Sequence, residues 1–397
     1  MNVNFEFLGE EPLDNVITCL DYRFDKVVFF GYEEQMQRQK KTTVNFLKEN
    51  CNVQEVAFCP VSQNNLDAIM EVMRGAIEQE IGRKNEIYFD ITGGESLILV
   101  AFGALSVEYD TPMHVYDIPK NHFREYASES KRKMSENVPR QEVTLNISQH
   151  IKLRGGVTNY FLHKEIKGIR TAEFDQDVTE IWHVAQKHVR YWNSFSMFLR
   201  NHLVPDEHLE ARKSTMDICK ALRKSNNQLK TPKKLNEILD DLKKARVLTI
   251  VEHTDGRYRV VFKNQAIKDC LWDGGSILEL HTFQMLRRDA QDSEIGLHLD
   301  WDGVIHQGTN KDVENEIDVI TLKNHILTFV SCKSGTTDKK DLYELETVTR
   351  RFGGKYAKMV FVTMQPVSEV DQLRADEMGI EILKVMEEDE NKYVGLV

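Results

Sequence analysis

Nothing in this chain of 397 residues approaches the roughly 18 uninterrupted apolar residues that a membrane-spanning helix requires, and the polar start MNVNFEF lacks a secretory pattern. The sequence therefore reads as a soluble, cytoplasmic protein with no membrane partner. Cysteine is sparse. The six cysteines, Cys19, Cys51, Cys59, Cys219, Cys270 and Cys332, form no CxxC and no His-paired zinc spacing, so reduced, mostly buried thiols are expected. Basic residues are in the minority, 52 Lys and Arg against 63 Asp and Glu, for a net charge of −11. This excludes a protein that holds nucleic acid through a broad positive field, because phosphate neutralisation by Lys and Arg dominates such affinity. An enzyme needs only a local basic groove, and Lys339, Lys340, Arg350, Arg351, Lys355 and Lys358 are grouped closely enough to line one. A GxGxxG fingerprint, internal repeats and low-complexity tracts are also absent. The hydrophobic content, 41%, is ample for the cores of two or three domains.

What is present begins with alternation. VNFEFLG, KVVFFG, VQEVAFCPV, EIYFDIT and MHVYDI are short apolar runs separated by helical stretches such as TTVNFLKEN and NLDAIMEVMRGAIEQEI, the pattern of a mainly parallel, doubly wound sheet. The fourth run ends in Asp90-Ile91-Thr92-Gly93-Gly94-Glu95-Ser96 and passes directly into the helical LILVAFGALS. Two glycines let a phosphate or ribose approach the backbone, and the amides of a helix start favour negative charge. Ligands of open α/β sheets bind at the carboxyl ends of strands, so the first loop, Gly9-Glu10-Glu11-Pro12, is expected to share that crevice.

The stretch NEIDVITLKNHILTFVSCKSG, 315–335, reads as two paired strands around a tight turn at Lys323-Asn324. With Leu322 opposite His325, alternation puts Glu316, Asp318, Ser331 and Lys333 on one face, with Glu316 level with Ser331 and Cys332 directed into the core on the other face. Upstream, SILELHTFQMLRR spaces Glu279, Phe283 and Leu286 on one helical face, so that Glu279 is a carboxylate in need of a partner. Carboxylates beside an amine suit a hard divalent cation and phosphodiester hydrolysis, which needs a polarised phosphoryl oxygen, an activated water and a counter-charge. After this hairpin, KKDLYELETVTRRFGG reads as a helix and KMVFVT as a strand.

The middle of the chain carries less chemistry. Trp182 and Trp192 read as packing residues, and His183 and His188, five apart, do not share a helix face as a metal pair would. TPKKLNEILDDLKKARVLTIVEHTDGRYRVVFKN reads as a helix followed by two strands around Asp255-Gly256, a winged-helix-like element able to serve as a DNA contact, a spacer or a dimer contact. Lys230, Lys233, Lys234, Lys243, Lys244 and Arg246 favour the first role, and Asp240 and Asp241 dilute it.

Asp318, then Ser331-Cys332-Lys333, with Glu279 in the preceding helix, resembles the motif of PD-(D/E)xK restriction-endonuclease-like nucleases, with Ser331 where the family usually has its second acid. The strand-DxTGG-helix resembles CARF domains, the cyclic-oligoadenylate sensors of type III CRISPR immunity. Together the halves resemble CARF-fused ancillary nucleases. The resemblance implies residues 1–145 as a Rossmann-like CARF sensor, 146–270 as a helical and winged-helix-like connector, and 271–397 as a restriction-endonuclease-like α/β domain. It implies a homodimer that binds one cyclic oligoadenylate, commonly cyclic tetraadenylate, across its two-fold axis. It further implies Mn2+- or Mg2+-dependent cleavage of single-stranded RNA, DNA or both. By correspondence, Gly9, Glu10, Thr92, Gly93, Gly94, Glu95 and Ser96 contact the ligand, although Glu95-Ser96 stands where many CARF domains carry a lysine. Asp318 and Glu279 are the implied metal ligands, Glu316 or Ser331 completes the shell, and Lys333 serves catalysis. The alternative is a non-catalytic CARF and winged-helix regulator of nucleic-acid binding with a decayed nuclease end, a reading that Ser331 favours.

Overall fold

The apolar runs at the front of the chain close into a six-stranded sheet in the order β3-β2-β1-β4-β5-β6. Its strands are β1 (Asn2–Phe7), β2 (Lys26–Gly31), β3 (Glu55–Pro60), β4 (Glu86–Asp90), β5 (Met113–Asp117) and β6 (His122–Tyr126). The first five are parallel, and β6, which the apolar pattern does not reveal, adds antiparallel to β5. The computed structural model describes the chain except residues 128–132, 160–164, 226–227, 254–255, 302, 306–313, 386–392, 394–395 and 397. β2 is buried along its whole length because helices cover both sides of the sheet, as parallel sheets require. One layer packs Phe5, Phe30, Phe89 and Phe102, and the other packs Phe24, Phe29 and Leu47. Strand order reverses between β1 and β4, which leaves a crevice at their carboxyl ends where the loops from Gly9 and Gly93 emerge.

In the middle of the chain, β7 (Val157–Asn159) joins the edge of the C-terminal sheet, pairing with residues 298–300. β8 (Glu210–Ser214), β9 (Leu248–Glu252) and β10 (Arg257–Phe262) form a three-stranded antiparallel sheet ordered β8-β10-β9. The helix Pro232–Lys244 precedes β9, with the Thr231 side chain accepting from the Lys234 amide at its start, so the winged-helix-like element is formed. Gly256 of the expected turn has φ +75, and Asp255 lies outside the described residues. Trp182 and Trp192 are core residues, Trp182 stacking on His281 at 4.3 Å. His188 pairs with Asp241 at 2.8 Å, an ordinary partner for a buried imidazole.

The C-terminal sheet is mixed: β11 (Asp292–Asp300), β12 (Glu314–Lys323), β13 (Ile326–Lys333), β14 (Lys358–Thr363) and β15 (Ile380–Lys384), ordered β15-β14-β13-β12-β11-β7. The turn between β12 and β13 corrects the expected register. Lys323 pairs with Ile326 and Leu322 with Leu327, so the loop residues are Asn324 and His325, both in the left-handed region at φ +49 and +65. A two-residue loop with both φ positive matches the twist of a hairpin, which displaces the turn by one residue from Lys323-Asn324. Asp318, not Glu316, therefore stands level with Ser331, whose hydroxyl lies 3.3 Å from Asp318 Oδ2.

All six cysteines are free thiols. Among the described residues, no helix is long and apolar enough to cross a membrane.

Candidate active site and ligand cleft

Strict alternation breaks at Asp318. Ile317 packs in the layer of Leu297 and Phe352, whereas Val319 packs in the opposite layer, with the helix Ser276–Leu286. Opposite the break, Gly296 of β11 has φ +63, a conformation only glycine adopts without cost. A Cβ there would overlap Lys167 Cδ and lie 2.9 Å from Nζ, so the missing side chain is also what lets Lys167 pass.

Lys167 is the unforeseen member of the site. Its side chain is fully buried, and its ammonium lies 2.5 Å from Glu279 Oε2 and 2.8 Å from Glu316 Oε1. Burial opposes its charge, but the two carboxylates outweigh burial and raise its pKa. Asp318, at the same place in the sheet, accepts from the Cys332 amide at 2.6 Å. Its carboxyl is held well above the ordinary range, first by burial and then by the negative charge of Glu279. Two carboxylates thus hold the one ammonium, and the third, Asp318, is the one pushed toward its protonated form. A Cβ at Gly275 would stand 3.6 Å from Glu279 Oε1 and 3.9 Å from Ser334 Oγ, so the helix start and the end of β13 converge here.

Lys333 is not in this cluster. Its ammonium lies 2.9 Å from Asp341 Oδ1 at the start of the helix Lys339–Phe352, and Ser331 reaches the cluster only through its bond to Asp318. Cys332 is on the cluster side rather than the far side: burial, Asp318 and Glu279 raise its thiol well above the ordinary range, which removes it as a nucleophile. Among the described residues, no three His, Cys, Asp or Glu side chains close around one point. The donors are nonetheless all oxygen, the set a hard divalent cation takes, and Glu279 and Glu316 already bind a cation in the form of Lys167.

A cleft of about 860 Å³ opens at the carboxyl ends of β1 and β4. Gly9, Glu10, Gly94 and Glu95 line it. Gly94 has φ +133, and Glu95 accepts from Tyr32 OH at 2.9 Å. The Gly9 loop is tied down: its carbonyl accepts from Asn15 at 3.1 Å and from Gln35 at 3.0 Å. Thr92 stands behind the cleft, its amide 2.8 Å from Asp90 Oδ1 and its hydroxyl accepting from the Tyr116 amide at 2.9 Å. Gly93 backs onto Asp14, and Ser96 begins the helix Ser96–Glu108. Arg350, Arg351 and Lys355, expected to line a groove beside the hairpin, instead form a wall of this cleft. They sit at the far end of the helix whose start holds Lys333, which reverses their expected placement.

A mainly parallel sheet, a helical and winged connector and a mixed sheet bearing a carboxylate cluster follow one another along the chain. Residues 269–393 match the family model described as the Card1-like endonuclease domain. Protein VC1899 from Vibrio cholerae has a similar fold, with a TM-score of 0.71 at 18% identity over 100% of this chain and 96% of that one. So has Can2 from Sulfobacillus thermosulfidooxidans, solved in complex with cyclic tetra-adenylate, with a TM-score of 0.66 at 14% identity over 99% of this chain and 98% of that one. No curated protein matches the chain.

Proposed function

We propose that this protein is an endonuclease activated by a cyclic oligoadenylate, cyclic tetraadenylate in the first instance, which acts as a homodimer in type III CRISPR defence. Its substrate is single-stranded RNA, DNA or both. The observation that carries this reading is the acidic cluster of Glu279, Glu316 and Asp318, enclosed within a domain that matches an endonuclease family. Mn2+ or Mg2+, held by Asp318 and Glu279 with Glu316 or Ser331 completing the shell, would polarise a phosphoryl oxygen and lower the pKa of bound water. The protein's own part is positional. Glu279 comes from a helix and the other two acids from one strand, so packing fixes the spacing of the oxygens. The Cys332 amide and the Ser331 hydroxyl both hold Oδ2 of Asp318 and so orient its carboxylate. Lys333, once released from Asp341, supplies positive charge to the phosphorane-like transition state or orients the attacking water. Gly9, Glu10 and the Thr92-to-Ser96 turn receive the activator.

The test is cleavage of labelled single-stranded RNA and DNA by purified protein with Mn2+ or Mg2+ and cyclic tetraadenylate. Asp318→Ala and Lys333→Ala are expected to abolish cleavage while ligand binding persists. No cleavage by the unmodified protein with either metal would overturn the reading in favour of a ligand-controlled regulator.

A further inference from the structure

The side of the cleft contributed by the sensor carries the wrong charge for its proposed ligand. Glu10, Glu11, Asp14 and Glu95 line it, against a single base, Arg38. A phosphodiester ring entering such a pocket meets repulsion unless cations come from elsewhere. They do. Arg154, from the connector, and Arg350, Arg351 and Lys355, from the nuclease end, complete the wall. Two of the acids are neutralised by this wall: Arg154 pairs with Glu11, and Lys355 lies 2.7 Å from Asp14 Oδ2, with the Tyr356 hydroxyl donating to the same carboxylate at 2.9 Å.

Arg351 is differently placed. Its guanidinium donates to two backbone carbonyls, those of Arg154 at 2.6 Å and Trp301 at 3.1 Å, and among the described residues no carboxylate pairs with it. Beside it, the Arg154 side chain is only 7% exposed and its Nε lacks a hydrogen-bond partner. The backbone is shaped to admit this arginine: Gly354 has φ +72, and a Cβ there would overlap the Arg154 guanidinium. Both arginines line the cleft, Arg154 buried against Glu11 and Arg351 without a carboxylate, so the Arg351 guanidinium brings uncompensated positive charge and a planar donor group to the wall, suited to a pair of phosphate oxygens.

We propose that Arg154 and Arg351, assisted by Lys355, are a phosphodiester subsite of the activator cleft, so that the ligand is gripped jointly by the sensor, the connector and the nuclease domain. This rests on the function proposed above and adds where the ligand's charge is met. Closing the cleft on a phosphodiester then pulls directly on the helix Lys339–Phe352, which ends at this wall and carries in its first turn Asp341, the partner of Lys333.

Calorimetric titration of cyclic tetraadenylate into the full-length protein tests the assignment at two salt concentrations. Arg351→Gln and the half-exposed Lys355→Gln are each expected to weaken binding by roughly tenfold or more and to flatten its salt dependence. Arg351→Lys, which keeps the charge but loses the fork, should recover only part of the loss. Melting temperatures near that of the unmodified protein separate lost contact from lost folding. Undiminished binding in both Gln variants overturns the subsite and leaves the sensor reading standing. No binding of cyclic tetraadenylate by the unmodified protein overturns both.

Discussion

Lys167 occupies, as an ammonium, a position between Glu279 and Glu316 where a metal-dependent site would also need positive charge. Removing it leaves the largely buried Glu279 uncompensated, a change that costs about 3 kcal/mol where a buried pair is broken, whereas Glu316 reaches solvent. Lys167→Met is therefore expected to lower stability by about that amount in EDTA and to regain much of it when Mn2+ is added, as read by urea unfolding. Equal losses with and without Mn2+ would separate Lys167 from any cation site. Asp318 gives a second prediction. Its folded-state pKa is raised, so the folded protein binds this proton more tightly than the unfolded chain. The stability it contributes is fully present below the unfolded pKa and is lost as pH rises through the folded pKa, by at most about 1.4 kcal/mol per pH unit. Metal-free Asp318→Asn should lack this component of the decline between pH 4 and neutrality, about the span between the two pKa values. An unfolding pH profile identical to that of the unmodified protein would contradict the placement. Neither behaviour is legible in the sequence, because Lys167 lies 149 residues from Glu316 and nothing local marks it. Asp318, Glu279 and the glycines after Asp90 were legible, since strand alternation, helical spacing and turn chemistry are local properties.

At the scale of elements, the helix Lys339–Phe352 connects the two sites. Along its axis about 15 Å separate the Asp341 that holds Lys333 from the Arg351 that faces the cleft. Asp341 has two roles: Oδ1 binds Lys333 and Oδ2 accepts from the Asp338 amide in the capping box. Asp341→Asn keeps an acceptor for the cap but removes the charge that detains the lysine. It is expected to raise cleavage measured without activator. Asp338→Ala, which costs about 1 kcal/mol of helix capping, should leave that basal rate unchanged. Parallel responses in the two variants would reduce Asp341 to a cap. The hairpin explains why the sequence misplaced part of this geometry. Asn324-His325 is not a common left-handed pair, so sequence pattern alone places the turn one residue early, and the break opposite Gly296 brings Asp318 to the side of Cys332 rather than that of Lys333.

Over the whole molecule, a net negative charge coexists with a local concentration of positive charge on one wall of one cleft. A chain of net charge −11 places Arg154, Arg350, Arg351 and Lys355 together around one cleft. The alternating front half was legible as a doubly wound sheet. The attachment of β7 to the far sheet was not, because a three-residue strand leaves almost no pattern. If cleft and carboxylate cluster work as one enzyme, cleavage of labelled single-stranded nucleic acid in Mn2+, followed as cyclic tetraadenylate is titrated in, should rise from near zero, saturate with ligand occupancy and vanish in Asp318→Ala. Cleavage that proceeds equally without the ligand, or that persists in Asp318→Ala, would contradict this.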